Sequence, residues 1–294
     1  FDDDTLEKLN DAAYSCTGCR RCVVHCPFGI DTQQIMGIAK ALLIGADREP
    51  KILSMLADMS VAKGETWVDS RGDYENALRN LEPEIRALWP YSPTGSPAVP
   101  YEKAGARVLY VALSGSHSIV NAAALFNAAG EDWTVSNFEA VNFGAFVGDS
   151  SRMSRIAERI VTEAVRLGVK EVAIVECGTA FRVMKQFIGP QPFNVVTFVE
   201  LIDRYLSEGR IRLDPGRIKD LTTYHDPCQI ARNAGVYEEP RRVLKAVAPN
   251  FVELTPNRQE NWCCGGGGGL ISLGELEFRM RSSRVKAEQL KSSH

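Results

Sequence analysis

The chain of 294 residues has neither a long apolar run nor an excess of positive charge. No apolar segment approaches the ~20 residues that a membrane-spanning helix needs, so any link to a membrane must run through a partner. Lysine and arginine number 34 against 37 aspartate and glutamate, which gives a formal net charge of -3. This balance argues against nucleic acid or anionic lipid as a partner, although a local basic patch is left open.

Cysteine is scarce over most of the chain and concentrated in two groups. None occurs in residues 27–176, whereas seven of the eight lie in residues 16–26 or 228–264. A secreted disulfide scaffold would be shorter and would spread its cysteines through loops. Clustered thiols in a long chain are typical of metal binding in a reducing compartment, so we expect a cytoplasmic protein.

The sequence begins with Phe1 rather than methionine and ends at His294 within a helical pattern. We therefore expect it to be a piece of a longer chain. Within it we predict four parts, which are a helical domain at 1–90, a proline-rich linker at 91–105, a first α/β unit at 106–210 and a second α/β unit at 211–294.

Hydrophobic patterns predict the individual elements. The helices expected in the first part are 4–14, 32–46 and 74–88. The strands expected after residue 106 are 107–113, 133–138, 171–175, 195–198, 220–224 and 251–254. The helices expected between them are 119–129, 150–167, 199–208, 240–248 and 274–290. This alternation is typical of an α/β fold with parallel sheets, and its repetition indicates an internal duplication.

The four cysteines near the N-terminus have the spacing of a bacterial ferredoxin loop. The segment Cys16-Thr-Gly-Cys19-Arg-Arg-Cys22-Val-Val-His-Cys26-Pro27 reads C-x₂-C-x₂-C-x₃-C-P, which holds a [4Fe–4S] cubane in ferredoxins. Zinc sites usually combine two C-x₂-C pairs across a longer loop, so zinc is the weaker alternative. Residues 1–90 are thus predicted to be a helical ferredoxin-type domain, with Cys16, Cys19, Cys22 and Cys26 as metal ligands.

The fourth cysteine of this run has two interpretations. In two-cluster ferredoxins it ligates the other cluster, so Cys26 would reach a second cubane whose remaining cysteines lie upstream of Phe1. Alternatively, all four thiolates hold one cluster. We favour the first interpretation, because residues 27–176 contain no matching run.

Cys263 and Cys264 are adjacent and are followed by five glycines. Neighbouring cysteines seldom form a disulfide with each other, because a trans peptide resists the required geometry. As metal ligands they are easier to explain, with Gly265 and Gly266 allowing backbone to pass close to an inorganic core. Trp262 is expected to shield this centre from water. A phosphate-binding loop is the alternative, but it lacks the following Lys-Ser/Thr.

Tyr224-His-Asp-Pro-Cys228 and Cys263-Cys264-Gly265-Gly266 resemble the cysteine-rich CCG domain of the heterodisulfide reductase B-subunit family. The ferredoxin loop followed by two such units resembles the fused or paired C and B subunits of that family. The resemblance implies that Cys228, Cys263 and Cys264 hold a non-cubane [4Fe–4S] cluster. Two further ligands would come from a C-x-x-C about 33 residues after the cysteine pair, a position beyond His294.

The first α/β unit departs from the family pattern and is predicted to be degenerate. It has Ser114-Gly-Ser116 where the second unit has Cys228, Asn142-Phe143-Gly144 where the second has Cys-Cys-Gly, and only Cys177-Gly-Thr-Ala180 for the C-x-x-C. It should therefore hold no cluster. The chain in this respect resembles the single-centre subunits of sulfate-reducer membrane redox complexes.

Cys177 and His225 are the candidate catalytic residues. Cys177 is either a buried small apolar residue or a functional thiol, which would act as an extra ligand or meet the sulfur of a substrate. His225 is either a packing residue or a donor to a cluster sulfur or a departing thiolate.

The resemblance implies an iron–sulfur electron-transfer or catalytic subunit that reduces or oxidises a disulfide, trisulfide or thiol pair. The alternative is an adaptor between a flavin dehydrogenase for lactate, glycolate or glycerol 3-phosphate and the quinone pool. Expected partners are other redox subunits, including a membrane quinone-interacting subunit, and a small protein or small molecule with a disulfide. The protein would then be peripheral on the cytoplasmic face of the membrane.

Overall fold

The computed structural model describes residues 2–64, 71–88, 99–113, 118–274 and 276–293. The chain divides into two compact units, each assembled from separate stretches. The cysteine unit comprises Phe1–Asp58, Asn142–Ser154 and Pro215–His294, and the sheet unit comprises Met59–Val141 and Arg155–Asp214.

Helices and parallel strands alternate along the chain, as the sequence predicted. Within the described residues the helices are α1 (Asp3–Tyr14), α2 (Arg21–Val24), α3 (Thr32–Gly45), α4 (Lys51–Lys63), α5 (Arg71–Asn80), α6 (Glu82–Leu88), α7 (Ser118–Ala128), α8 (Phe143–Val147), α9 (Ser150–Leu167), α10 (Gly178–Gln186), α11 (Phe198–Ser207), α12 (Glu238–Val247), α13 (Leu270–Leu273) and α14 (Leu276–Lys291). The strands are β1 (Val108–Val111), β2 (Trp133–Val135), β3 (Glu171–Ile174), β4 (Asn194–Thr197), β5 (Thr222–Thr223) and β6 (Phe251–Val252). None of these helices is long and apolar enough to cross a bilayer.

The sheet unit is built on four parallel strands in the order β2-β1-β3-β4. Every residue of β1, β2 and β3 is buried, as expected for parallel strands covered on both faces. Its core includes an aromatic group in which Tyr110 meets Phe126, Trp133 and Phe198 edge to face.

Each of the two units contains a pair of parallel strands joined through a helix. In the sheet unit, β1 and β2 pair in parallel across the connecting α7. In the cysteine unit, β5 and β6 pair in parallel across α12. These two strand–helix–strand units agree with the predicted duplicated α/β fold, although the second sheet has two strands.

Several elements differ from the sequence prediction. The helix expected over 74–88 is two helices, α5 and α6, and Pro83 lies in the first turn of α6, where its missing N–H is tolerated. Helices α2, α4, α8, α10 and α13 were not predicted. The predicted loop 114–116 and most of the proline-rich linker lie outside the described residues, and the four domain boundaries remain a prediction.

Candidate metal centre

The ferredoxin-type run forms a turning loop between α1 and α3. Gly18 and Arg20 adopt left-handed backbone angles, with φ of 67° and 59°. The turn directs backbone amides at thiols: Gly18 N–H donates to Cys16, and Ile30 N–H donates to Cys26 Sγ at 3.4 Å. Burial raises the pKa of Cys16, and the Gly18 N–H opposes that shift.

The Cys263-Cys264 loop lies just before α13 and presents its thiols to amides in the same way. Gly265 N–H donates to Cys263 Sγ at 3.3 Å, and Gly266 N–H donates to Cys264. Hydrogen bonding from Cys263 is the largest of the effects that lower the pKa of Cys264 to about 6. Both predicted glycines therefore lie beside predicted ligands, and their contact with a cofactor remains a prediction.

Cys263 is the point at which the two cysteine groups meet. Its thiol accepts hydrogen bonds from Cys19 and Cys228, which lower the pKa of Cys263 to about 6. The same contact, followed by burial, raises the pKa of Cys19 and of Cys228. Thr17 Oγ1 lies 3.4 Å from Cys263 Sγ. The cysteine unit thus brings together thiols that are more than two hundred positions apart in sequence.

The glycine run packs directly on the ferredoxin-type loop. A Cβ added at Gly268 would lie 2.5 Å from the carbonyl oxygen of Cys16, and one added at Gly267 would lie 2.9 Å from that of Thr17. Backbone against backbone cannot relax as a flexible side chain can. The glycines therefore allow close packing of the two cysteine loops, in addition to the predicted approach to an inorganic core.

We expect Gly268→Ala to destabilise the protein more than Gly235→Ala. Both glycines have positive φ, but a Cβ at Gly235 meets nothing within 4 Å. The control therefore carries only the ~1–2 kcal/mol of left-handed strain, whereas Gly268→Ala adds ~1–3 kcal/mol of overpacking. Chemical denaturation measures both changes. Equal losses of unfolding free energy would show that the close approach has no energetic consequence.

Two side chains following Cys228 bind the ferredoxin-type loop by its carbonyl oxygens. Gln229 Nε2 donates to Gly18 O at 3.1 Å, and Arg232 Nη1 donates to Cys19 O at 2.7 Å. Arg232 Nε also donates to Gln259 O at 2.7 Å. These bonds tie the segment that follows Cys228 to the ferredoxin-type loop and to the segment before Cys263.

The loop carrying His225 and Cys228 is anchored by a buried ionic network. Asp226 accepts two hydrogen bonds from Arg241, at 2.7 and 2.9 Å, and one from Arg258 N–H at 2.7 Å. Arg241 also bonds both carboxylate oxygens of Glu253. The side chains of Arg241 and Asp226 are each 1% exposed. Sequence reasoning missed Arg241; the one signal was its place on the apolar face of α12.

Asn261 determines which nitrogen of the His225 ring carries the proton. Lys286 Nζ can only donate, so its bond to Asn261 Oδ1 directs the Asn261 amide Nδ2 toward His225 Nδ1, 3.1 Å away. His225 Nδ1 must then accept, which places the ring proton on Nε2. Burial, followed by the charge of Lys286, lowers the pKa of His225 to about 4. The imidazole is therefore neutral at pH 7. Asn261 and Lys286 carried no signal in the sequence.

Trp262 is half-buried and covered by the ferredoxin-type loop. The guanidinium of Arg21 lies 3.6 Å from the centroid of the Trp262 ring. Arg21 Nη1 is 2.6 Å from His25 Nε2, which also lies 2.9 Å from Glu260 Oε2. Shielding of the centre by Trp262 remains a prediction.

Cys177 belongs to the sheet unit, where its thiol has a structural contact. It is buried and precedes α10, where its Sγ accepts the backbone N–H of Ala180 at 3.3 Å. The thiol therefore serves as the N-cap of that helix. The predicted catalytic role of Cys177 remains a prediction.

The donor set in the cysteine unit fits an iron–sulfur core. Its predicted ligands are all thiols, which favour iron–sulfur clusters or zinc. Among the described residues, no group of three or more His, Cys, Asp or Glu side chains is arranged to hold a metal ion. The amides directed at Cys16, Cys26, Cys263 and Cys264 are suited to the sulfur atoms of a cluster and its ligands.

Residues 222–292 match the family model of the CCG cysteine-rich domain. The matched segment contains Cys228, Cys263 and Cys264, so this part of the chain is a cysteine-rich domain of that class. No solved structure matches the chain.

The chain is 27% identical to the Hdr-like menaquinol oxidoreductase iron-sulfur subunit 2 of Archaeoglobus fulgidus, over 96% of this chain and 59% of that protein. It is 27% identical to one subunit of the dihydromethanophenazine:CoB–CoM heterodisulfide reductase of Methanosarcina acetivorans, over 96% of this chain and 68% of that protein. It is also 27% identical to the EtfAB:quinone oxidoreductase of Syntrophomonas wolfei, over 90% of this chain and 38% of that protein.

These matches support an Hdr-like CCG iron–sulfur family for the chain and confirm the resemblance predicted from its cysteine motifs. They also support an iron–sulfur electron-transfer subunit. The chain spans 59% of the length of the first two relatives.

Proposed function

We propose that this chain relays electrons between a cubane [4Fe–4S] cluster and a non-cubane [4Fe–4S] centre that reduces or oxidises a disulfide, trisulfide or thiol pair. Cys16, Cys19 and Cys22 would hold the cubane, with Cys26 on it or on a neighbouring cluster. Cys228, Cys263 and Cys264 would hold the second centre. The bound clusters would supply one-electron chemistry.

The proximity of Cys19 and Cys263 carries this proposal: Thr17 Oγ1 lies 3.4 Å from Cys263 Sγ, and Cys19 acts on the pKa of Cys263. One residue comes from each cysteine group, so the predicted ligands of the two centres are immediate neighbours within the cysteine unit. Gln229 and Arg232 hold this contact by bonding the carbonyl oxygens of Gly18 and Cys19. The short separation supports direct transfer between the centres.

His225 would act as a hydrogen-bond donor rather than as a charged acid. Asn261 occupies Nδ1, so the proton on Nε2 is left for a sulfur atom of the centre or of the substrate. Its low pKa keeps the ring neutral across the physiological range. Cys177 would contribute a thiol to substrate chemistry, or serve only as the helix cap described above.

A second candidate function is an adaptor between a flavin dehydrogenase and the quinone pool. Its support is the similarity to relatives named as a menaquinol oxidoreductase subunit and as an EtfAB:quinone oxidoreductase. In either case the partners would be other redox subunits, with a membrane quinone-interacting subunit placing the chain on the cytoplasmic face.

Anaerobically purified protein should contain iron and acid-labile sulfide with little zinc. On oxidation in the presence of a thiol substrate, we expect a paramagnetic signal from the second centre, because a thiol bound there perturbs its electronic structure. A signal indifferent to thiols, together with a copurifying flavoprotein, would favour the adaptor. Zinc without sulfide would overturn both candidates.

A further inference from the structure

Lys286 is a buried lysine whose hydrogen-bond acceptors are both neutral. It is 5% exposed, and its Nζ donates to the amide oxygens of Asn261 and Gln289. The carboxylate that acts on it, Asp226, is already bonded to Arg241. The other negative groups acting on Lys286 are the thiols of Cys264 and Cys263.

Lys40 repeats this arrangement beside the ferredoxin-type run. It is 7% exposed, and its Nζ donates to Phe146 O at 2.9 Å and lies 4.8 Å from the centroid of the Tyr14 ring. The group whose negative charge would act on Lys40 is Cys16, as a thiolate or as a cluster ligand. Each cysteine group thus has one buried ammonium. In the part of the chain that the structure describes, neither ammonium forms an ion pair with a carboxylate.

Burying an ammonium without an ion pair is costly. In both lysines burial is the main cause that lowers the pKa, in each case to about 8. Such a cost is offset when a negative group lies beside the lysine. The thiolates and the cluster they would bind are the negative groups at both positions.

We propose that Lys286 and Lys40 are counter-charges, each raising the reduction potential of the centre beside it. The inference rests on the proposed function, because both centres must assemble. Reduction adds a negative charge, and a nearby buried cation stabilises the reduced form more than the oxidised form. Removing the cation therefore lowers the potential.

The test is a redox titration, followed by electron paramagnetic resonance, of anaerobically purified Lys286→Gln and Lys40→Gln. Glutamine keeps a hydrogen-bond donor but removes the charge. We expect Lys286→Gln to make reduction of the second centre about tenfold less favourable, a fall of ~59 mV for a one-electron couple. The ferredoxin-type centre should change much less. Lys40→Gln should give the reverse pattern.

Two controls separate charge from structure. Lys286→Arg keeps the charge and should therefore keep the wild-type reduction potential. If the role of Lys286 were purely structural, Lys286→Gln would instead keep the wild-type potential and Lys286→Arg would change it. Lys8→Gln removes a cation from an exposed pair with Asp4 and should leave both potentials unchanged.

Iron and sulfide contents are measured on every variant. Wild-type protein without iron would refute the proposed function itself. Loaded Lys286→Gln and Lys40→Gln proteins with wild-type potentials would refute only the counter-charge proposal. A variant that fails to load its centre is replaced by the corresponding methionine variant, which preserves the length of the side chain and is judged by the same titration.

Discussion

Replacing Arg241 with methionine should lower the free energy of unfolding by ~3–5 kcal/mol. Among the residues that the structure describes, the change leaves the buried Asp226 carboxylate with one N–H donor, from Arg258. It also releases Glu253 from its paired bonds. Because Asp226 precedes Pro227 and Cys228, we expect the loss to loosen the loop that presents the His225 ring and the Cys228 thiol.

Arg242→Met is the matched control for this prediction. Arg242 is the next residue of α12, but it is exposed and pairs with Glu239 at 3.1 Å, so its loss should change stability by at most ~1 kcal/mol. Denaturant unfolding of both variants gives the comparison. Adding Asp226→Asn to Arg241→Met removes the unpaired charge and should recover part of the loss. No recovery would mean that the charge on Asp226 is not what makes Arg241 necessary.

The sequence alone was sufficient to predict features that depend on residues close together along the chain. The cysteines of the ferredoxin-type loop are close neighbours, so their spacing already indicates a shared cluster. The buried β-branched runs of β1 and β3 likewise indicate a parallel sheet without knowledge of distant contacts. The fold class and the family resemblance rested on such local patterns.

Local patterns failed where another part of the chain decides the structure. Strand β5 was predicted over 220–224 but covers only Thr222–Thr223, because the following residues turn away to bond Arg241 and Asn261. Helix α10 was missed for a local reason: it starts on the thiol of Cys177, which is not among the preferred N-cap residues.

The close packing of the two cysteine loops was equally beyond local patterns. Gly268 lies against Cys16, far away in sequence, and no periodicity relates the two. The burial of Lys40, Arg241 and Lys286 could not be predicted either, since charged residues on helices are normally solvated.

Cys263→Ser should remove the second centre and leave the ferredoxin-type centre in place. The thiol of Cys263 is the one that meets Cys19, Cys228 and Cys264, and a serine hydroxyl is a poor ligand for iron in a sulfur-rich cluster. We therefore expect the variant to lose about four irons per chain. The thiol-dependent paramagnetic signal should disappear. Iron analysis and low-temperature spectra of the reduced and oxidised protein measure both effects.

Cys22→Ser should give the opposite pattern, losing the ferredoxin-type signal and keeping the thiol-dependent one. Cys177→Ser is the control, because serine can cap α10 as the thiol does, and it should retain all of the iron. Loss of iron from Cys177→Ser would make Cys177 a ligand. If Cys263→Ser and Cys22→Ser each lost both signals, the seven clustered cysteines would hold one interdependent assembly, and a relay between two separate centres would have to be abandoned.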